Sequence, residues 1–302
     1  MNHRLCWLVF CIVCVSALLL SACQSSRDAG DPASSRSGQA TSADGVTIRY
    51  EIRGEGKLAL VFVHGWGNDR SIWRLQLPEF ARRYMVVAVD LAGFGESGRE
   101  RTRYSMEAYG EDVRAVVEAL DLEQVILIGH SMSGKVMVEA ARHLPDRVVG
   151  LIGIDTLNDV ETVPSADLLQ RQLAPMADDF AGETERFVRN FLFTARSDAA
   201  LVEEIVARMT GAEPSIALSA LREALQHDVT VPLREVRLPI RLINSTTYPT
   251  DVAAGKRHAV SFEATFLDDV GHFLFLEKPV EFNQELQEMV RELTPYDPHP
   301  NR

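Results

Sequence analysis

Cysteine is missing from all but the first 23 residues of this 302-residue chain, whose four cysteines are Cys6, Cys11, Cys14 and Cys23. The rest of the chain can therefore hold neither a disulfide framework nor a thiolate metal site. Basic residues are also in deficit, with 31 Lys and Arg against 43 Asp and Glu and a formal net charge of -12. Because an acidic chain repels phosphate backbones, we expect no nucleic-acid partner. The sequence has no internal repeat, no H-E-x-x-H and no other clustered metal-ligand pattern, so we expect no metal and no other cofactor.

The first 22 residues have the layout of an export signal. Arg4 precedes an almost wholly apolar run, Leu5–Leu20, which is shorter than the ~20 residues of a membrane-spanning helix. A short uncleaved anchor is the alternative. Leu20-Ser21-Ala22-Cys23 resembles the lipobox of bacterial lipoproteins, which implies cleavage before Cys23 and acylation of that residue. Gln24, where an Asp would imply retention in the inner membrane, implies an outer-membrane location in the bacterial cell envelope.

From about residue 44 onward, short apolar runs alternate with helical patterns. Continuous runs such as Leu58–Val63, Met85–Val89 and Val125–Ile128 are typical of buried strands in a parallel sheet. Val46–Ile52 alternates between apolar and polar residues instead, and predicts an edge strand. Later runs at 148–154, 240–243 and 262–266 continue the series, and helical spacing appears at 106–120, 135–143 and 279–293.

The segment 158–236 differs from the rest because it holds three or four amphipathic helical patterns and no good strand. An all-helical insertion predicts a cap over the carboxyl edge of the sheet, where open α/β sheets bind ligands. The predicted organisation is a signal peptide at 1–22, a flexible tether at 23–43, a core at 44–157 and 237–294, the cap at 158–236, and a C-terminal tail at 295–302.

Gly129-His130-Ser131-Met132-Ser133-Gly134 lies between a predicted strand and a predicted helix. A serine on such a sharp turn is pushed out of the sheet and can act as a nucleophile. The N–H of the next residue, Met132, then points at a developing oxyanion. A glycine-rich turn with an idle serine is the alternative.

Two further motifs follow predicted strands. HGWG at 64–67 can offer backbone N–H groups to the same oxyanion, with Trp66 as the donor, although a plain glycine turn with a packed Trp is the alternative. VGHF at 270–273 follows the last predicted strand. It places His272 at the carboxyl edge, where the imidazole can serve as the base for Ser131.

HGWG, DLAGFGESG, GHSMSG and VGHF, in this order, resemble the α/β-hydrolase family over residues 44–294. The resemblance implies a mostly parallel, doubly wound sheet with a helical cap inserted after the sixth strand of the fold. It also implies that Ser131 is the nucleophile, His272 the base, and the N–H groups of Trp66 and Met132 the oxyanion hole. A serine at this turn argues against relatives that open epoxides or displace halide, which carry Asp there. One departure is Ser133, where the family usually has the second glycine of G-x-S-x-G.

The acid of the implied triad is a second departure. Family members usually carry it in the loop after the penultimate strand, but Thr246 and Thr247 stand where an Asp is expected. Asp251 is the nearest acid, and stabilising a helix start is its simpler role. Asp155, at the end of the strand before the cap, fits the family's order of nucleophile, acid and base. We predict that the Asp155 carboxylate accepts a hydrogen bond from Nδ1–H of His272, with Asp251 as the alternative acid.

Two phosphate-binding patterns also occur. Gly93–Gly98 matches G-x-G-x-x-G, but the polar stretch after it does not open the apolar helix that a dinucleotide site requires. Gly129–Lys135 reads G-x-x-x-x-G-K, but Val136 stands where a Ser or Thr would hold Mg²⁺. The second interpretation also leaves HGWG and VGHF unexplained, and we expect no nucleotide.

The sequence thus predicts hydrolysis of a carboxylic ester, or of a lactone, through an acyl-Ser131 intermediate. The expected partners are a small-molecule ester and the lipid of a membrane that holds Cys23. Amide cleavage, carbon–carbon bond hydrolysis and acyl transfer stay open. A non-catalytic, membrane-tethered binding protein on a hydrolase scaffold is the alternative from another class. The unusual acid position favours it, and the intact Ser, His and oxyanion motifs oppose it.

Overall fold

The computed structural model describes residues 34–294. The predicted signal peptide, the predicted lipidation site Cys23 and the tail predicted at 295–302 lie outside the described residues. Between residues 34 and 294, no helix combines the length and the apolar character that a membrane span needs.

One eight-stranded sheet runs through the described chain, in the strand order β1-β2-β4-β3-β5-β6-β7-β8. β2 pairs antiparallel with β1 and with β4, and the other neighbours pair in parallel. The strands are β1 (Ser35–Thr41), β2 (Thr47–Arg53), β3 (Leu58–Val63), β4 (Met85–Val89), β5 (Gln124–His130), β6 (Val148–Ile154), β7 (Pro239–Ser245) and β8 (Ser261–Leu267).

Eleven α-helices are assigned in the described residues: α1 (Leu77–Phe80), α2 (Met106–Ala119), α3 (Ser133–His143), α4 (Ala166–Asp178), α5 (Phe180–Phe187), α6 (Ala199–Thr210), α7 (Pro214–Gln226), α8 (Thr230–Glu235), α9 (Val252–His258), α10 (Leu274–Glu277) and α11 (Pro279–Leu293). α2 and α3 pack against each other, α3 also contacts β5 and β6, and α11 contacts β6 and β7. The predicted fold class, a mostly parallel sheet between helices, is confirmed.

The central strands are buried because they are apolar on both faces. Every residue of β3 after Leu58 is buried, as are the last six residues of β5, which is the pattern of a sheet covered on both sides. The carboxyl ends of parallel strands lie along one edge of the sheet. β5, β6 and β7 end at His130, Ile154 and Ser245, so the segments that follow them meet at that edge.

The helical segment between β6 and β7 follows the sixth strand, as the resemblance implies, and contains α4–α8. The predicted buried faces are present: Ile205 and Met209 of α6 are buried, as are Ile216, Ala220 and Ala224 of α7. A π-helical turn, Val188–Leu192, continues α5. The last helix of the segment, α8, packs against α3 and α9, so the cap itself is formed by α4–α7.

The prediction of a flexible tether at 23–43 is wrong for the part of that segment that the structure describes. Ser35–Thr41 forms strand β1, which pairs with β2 along its whole length, and β1 rather than β2 is therefore the edge strand. At Gly38, a Cβ would come within 2.4 Å of the Tyr50 ring, so a larger residue would have to displace that ring. Composition missed the strand because backbone hydrogen bonds, and not buried apolar side chains, hold it to the sheet.

Candidate active site

Ser131 lies on a strained turn between β5 and α3. Its φ is +56°, a conformation that non-glycine residues rarely adopt and that is typical of a nucleophile held at a strand-to-helix turn. The backbone around it is fixed, because Ser131 N–H donates to Ile154 O at 3.0 Å. The hydroxyl of Thr156 donates to Ser131 O at 2.5 Å. The end of β6 therefore holds the serine from both sides.

The departure from G-x-S-x-G has a local explanation. Ser133 is fully buried, and its hydroxyl donates to His64 O at 2.5 Å, so the polar group satisfies the carbonyl of the neighbouring HGWG turn. At Gly134, by contrast, a Cβ would come within 2.1 Å of Thr156 Oγ1. The close approach that requires glycine therefore falls one residue later than in the usual motif.

Asp155 directly follows β6 and contacts His272. Nδ1 of His272 lies 2.5 Å from Asp155 Oδ2, and the second carboxylate oxygen, Oδ1, accepts a hydrogen bond from Ser245 N–H at 2.9 Å. Only 1% of the Asp155 side chain is exposed, and its φ of +43° is another strained backbone value. A buried carboxylate held in this way orients the imidazole and stabilises its protonated form.

Asp251, the alternative acid, has a different role in the structure. Its side chain is 55% exposed and accepts a hydrogen bond from Ala254 N–H at 2.8 Å, which caps the start of α9. Thr247, where the family usually has an acid, donates its hydroxyl to Val270 O at 2.7 Å. The loop after β7 thus supports the segment that carries His272, while the carboxylate that contacts His272 is that of Asp155.

His130 was not singled out by sequence reasoning, although it is the variable residue of the serine motif. Its Nε2 lies 3.0 Å from His272 O, and its ring lies 4.6 Å from the His272 ring. Burial, with a smaller contribution from the neighbouring His272, lowers the pKa of His130 well below its usual range. A neutral His130 therefore donates from Nε2 to that carbonyl and puts no second charge beside His272.

The two backbone donors predicted for the oxyanion hole have no competing partner. Within residues 34–294, neither Trp66 N–H nor Met132 N–H donates a hydrogen bond. The Trp66 side chain is fixed by a 2.7 Å hydrogen bond from Nε1 to Ala217 O in α7. Both groups flank a cavity that Ser131 lines, which is where free N–H donors can stabilise a developing negative charge.

The cavity beside Ser131 has a volume of about 420 Å³ and a mostly apolar wall. It brings together Ser131, Asp155, His272, Trp66 and Met132, and it takes further apolar side chains from the cap. The cap side chains are Phe187, Phe191, Leu192, Met209, Leu221, Ala224 and Leu225. Asn68, Thr156, Asn158 and Tyr248 add polar groups to the wall.

The cap is hydrogen-bonded directly to His272 and to the loop after β7. His272 N–H donates to Leu192 O at 2.8 Å, and the Tyr248 hydroxyl donates to Phe191 O. Both acceptors lie in the π-helical turn of the cap. Burial raises the pKa of Tyr248 to about 12, so its hydroxyl stays a donor at neutral pH. No sequence signal pointed to these contacts, because carbonyl groups are common to every residue.

Glu277 and Lys135 make two more connections between core and cap. Glu277 accepts from Gly271 N–H at 2.9 Å and from the hydroxyl of Ser197 at 2.5 Å, and burial raises the pKa of its carboxyl group. Lys135 Nζ donates to Ala224 O at 2.8 Å and to His227 O at 2.9 Å, at the carboxyl end of α7. Burial lowers the pKa of Lys135 to about 8.

Comparisons with known proteins identify proteins that are similar to this chain. A family model described as the alpha/beta hydrolase fold matches residues 59–236. The dihydrolipoyllysine-residue acetyltransferase component of the acetoin cleaving system of Pseudomonas putida is 28% identical over 248 residues, which are 80% of this chain. The match spans 66% of that protein's own length.

Two esterases are also similar. The pimeloyl-[acyl-carrier protein] methyl ester esterase of Edwardsiella ictaluri is 31% identical over 198 residues, which are 62% of this chain and 73% of that protein. The solved structure of a thermophilic esterase from Thermogutta terrifontis superposes with a TM-score of 0.72 at 26% identity. That match covers 85% of this chain and 99% of the esterase.

Proposed function

The chain belongs to the alpha/beta hydrolase fold family, and on that premise we propose that it is a serine hydrolase that cleaves carboxylic esters or lactones. The observation that carries the proposal is the 2.5 Å contact between Asp155 Oδ2 and His272 Nδ1, beside a cavity that Ser131 also lines. With Nδ1 held by a buried carboxylate, Nε2 of the ring is left to take the proton of Ser131.

The reaction proceeds in two halves. Ser131 Oγ attacks the ester carbonyl carbon while His272 Nε2 takes its proton, and the carbonyl oxygen becomes an oxyanion that accepts from Trp66 N–H and Met132 N–H. The carbon–oxygen bond then breaks, and the alcohol leaves with the proton from His272. A water molecule, deprotonated by His272, attacks the acyl-Ser131 ester and releases the acid and the free serine. With a lactone, alcohol and acid are parts of one product.

The Asp155 carboxylate stabilises the imidazolium that forms in each half-reaction. His130 supports the same step, because its buried ring is neutral and places no second positive charge 4.6 Å from His272. Its hydrogen bond to His272 O also fixes the backbone of the base. The strained Ser131 and Asp155 are thus held ready before substrate binds, which reduces reorganisation during the reaction.

The size and the apolar wall of the cavity favour an ester substrate of moderate size with an apolar acyl or alcohol group. A volume of about 420 Å³ accommodates a small organic molecule, and the cap supplies a wall of phenylalanine and leucine side chains. The names of the Edwardsiella ictaluri and Thermogutta terrifontis relatives, both esterases, favour the same reaction class.

Labelling with a fluorophosphonate probe tests this function, because only an activated serine reacts with it. We expect the full chain to be labelled at Ser131, as mapped by mass spectrometry, and to hydrolyse chromogenic esters. Ser131→Ala should abolish labelling and lower esterase turnover by at least about a hundredfold. A wild-type protein that is folded but neither labelled nor active on acetyl to decanoyl esters would support the binding-protein alternative instead. The main support for that alternative is the unusual position of the acid, and the contact between Asp155 and His272 weakens it.

We also propose that Cys23 is acylated and that the lipid holds the enzyme in the outer membrane. The proposal rests on the LSAC sequence behind the apolar run and on Gln24 after the cysteine. Cys23→Ser should release the protein into the soluble fraction, whereas Cys14→Ser, inside the apolar run, should leave it in the membrane pellet. A Cys23→Ser protein that still sediments with membranes would mean that the apolar segment is an uncleaved anchor.

A further inference from the structure

Three side chains of the types that can bind metal ions meet where the cap joins the core. Glu107 lies in the first turn of α2, Glu139 in the second turn of α3, and His227 ends α7, the last helix of the cap. One ligand atom from each of the three lies within 4.8 Å of the others. None of the three lines the cavity beside Ser131, so the cluster is separate from the proposed reaction.

The two buried members of the cluster face each other without sharing a hydrogen bond. Nε2 of His227 lies 3.0 Å from Oε1 of Glu139, yet within the described chain neither atom has a hydrogen-bond partner. Only 8% of the His227 side chain and 1% of the Glu139 side chain are exposed. Neither atom is committed to a well-aligned hydrogen bond in the described chain, so both can bind a third group.

A metal ion explains the spacing. In a tetrahedral zinc site, nitrogen and oxygen ligands at about 2.0–2.1 Å from the ion lie about 3.3 Å from each other. Their lone pairs point at the ion and not along the line between the two ligands, which is why such neighbours form no hydrogen bond. The third ligand can come from Glu107, which has a ligand atom within 4.8 Å of the other two. Its Oε1 now lies 3.4 Å from the other ring nitrogen, Nδ1, and its side chain is 55% exposed, so it can turn toward the ion without disturbing packed neighbours.

The surrounding contacts hold the buried ligands in place. The second oxygen of Glu139, Oε2, accepts from Arg142 at 2.7 Å, which leaves Oε1 for the ion. Lys135, one turn before Glu139 on α3, donates to the backbone carbonyl of His227 at 2.9 Å and fixes the residue that carries the imidazole. Partners of this kind orient metal ligands in known sites.

We propose that Glu107, Glu139 and His227 bind a divalent transition-metal ion, with Zn²⁺ as the expected occupant, that joins the cap to α2 and α3. One imidazole and two carboxylates suit zinc, whereas magnesium and calcium prefer oxygen ligands alone. The inference is independent of the reaction at Ser131 and holds whether or not the protein is an esterase.

The test is a zinc titration of the full chain, stripped with a chelator and measured in competition with a chromogenic indicator. We expect wild type to bind one more equivalent of zinc than His227→Gln does. In Glu107→Gln, the affinity for that equivalent should fall at least about tenfold. His258→Gln is the matched control, because His258 also pairs with a glutamate, Glu161, at 2.7 Å but belongs to no such cluster among residues 34–294. Zinc held by the N-terminal cysteines would be present in all the variants and would cancel.

Thermal unfolding supplies the second measurement, since an ion that binds only the folded chain stabilises it. Zinc should raise the Tm of wild type and of His258→Gln, and should raise that of Glu107→Gln less. If His227→Gln does not fold, Glu107→Gln decides the matter, because its side chain is exposed. Equal zinc affinity in wild type and Glu107→Gln, or no stoichiometric zinc in wild type, would overturn the proposal.

Discussion

The carboxyl edge of the sheet and the cap above it are built by different forces. At the edge, Ser131 and Asp155 have positive φ values and are held by backbone hydrogen bonds to neighbouring strand ends, such as Ser131 N–H to Ile154 O. The cap is held by apolar packing of helices, and it reaches the edge through a few contacts, among them Leu192 O to His272 N–H. In the proposed hydrolase, the edge therefore places the reacting atoms, while the cap supplies a wall of the substrate cavity.

This difference implies that the two regions respond differently to substitution. Each carboxylate or hydroxyl at the sheet edge is the single group placed for its proposed role, so its replacement removes that role. A side chain in the cap is one of several that form a wall, and its replacement changes the shape of the cavity. The predictions below test that division, beginning with the largest expected effect.

The largest effect belongs to the acid at the sheet edge. Asp155→Asn should lower turnover by about 10³–10⁴-fold, because an amide neither orients His272 in the same tautomer nor stabilises the imidazolium. Asp251→Asn, which changes a helix cap, should change turnover less than about threefold. Steady-state kinetics on a chromogenic ester gives both values. Comparable losses in the two variants would contradict the assignment of Asp155.

Lys135 connects the two regions, and its charge should oppose folding at neutral pH. Its pKa is lowered by burial from 10.5 to about 8. The unfolded chain therefore binds more protons between these values, and the free energy of unfolding rises with pH across that window. Relative to that of Lys135→Met, the free energy of unfolding of wild type should rise by about 2–3 kcal/mol between pH 7 and pH 10.

Urea unfolding at several pH values measures the gain, with Lys57→Met as a control at an exposed lysine. If the difference in the free energy of unfolding between wild type and Lys135→Met stays constant with pH, burial does not shift the pKa of Lys135. The gain is measured as a difference between variants, because the other groups that titrate above pH 8 then cancel.

The cap wall should control chain-length preference. Phe187→Ala, Phe191→Ala and Leu192→Ala each remove apolar surface from the cavity, and each should change the ratio of kcat/KM for octanoyl and acetyl esters by about tenfold. The rate on the acetyl ester itself should change less. Val231→Ala, an exposed position outside the cavity, serves as the control. An unchanged ratio in all three variants would rule out this role for the cap.

The smallest expected effect is at the contact between the cap and the loop after β7. Tyr248→Phe removes the hydroxyl that donates to Phe191 O, and the loss of one such bond is worth about 0.5–1.5 kcal/mol. Turnover should fall about two- to tenfold, with chain-length preference unchanged. Tyr84→Phe, which loses a remote hydrogen bond that the Tyr84 hydroxyl accepts from Gln287, should leave turnover unchanged. A Tyr248→Phe enzyme with full turnover would show that this contact does not position the base.

Local sequence patterns were sufficient to predict the strands of the core and most residues of the candidate site. The apolar runs Leu58–Val63 and Met85–Val89 are strands with those bounds, because a strand buried on both faces can contain little else. The serine motif and its strained turn lie between a strand and a helix as predicted, because short-range sterics set that geometry. The strand at Ser35–Thr41 could not be seen in this way, since its pairing with β2 depends on backbone groups that every residue has.

Sequence alone determined which residues could carry the chemistry: a serine at a tight turn, a histidine after the last strand, and two acids that could serve as the third member. Only the tertiary structure decided between the acids, because that choice depends on which strand end comes next to His272. Asp155 ends β6, beside β7 in the sheet, and is buried against His272, whereas Asp251 lies beyond the loop and faces solvent. Tertiary structure also placed the cap contacts and the cluster of Glu107, Glu139 and His227, whose members are far apart in sequence and meet only when the helices pack.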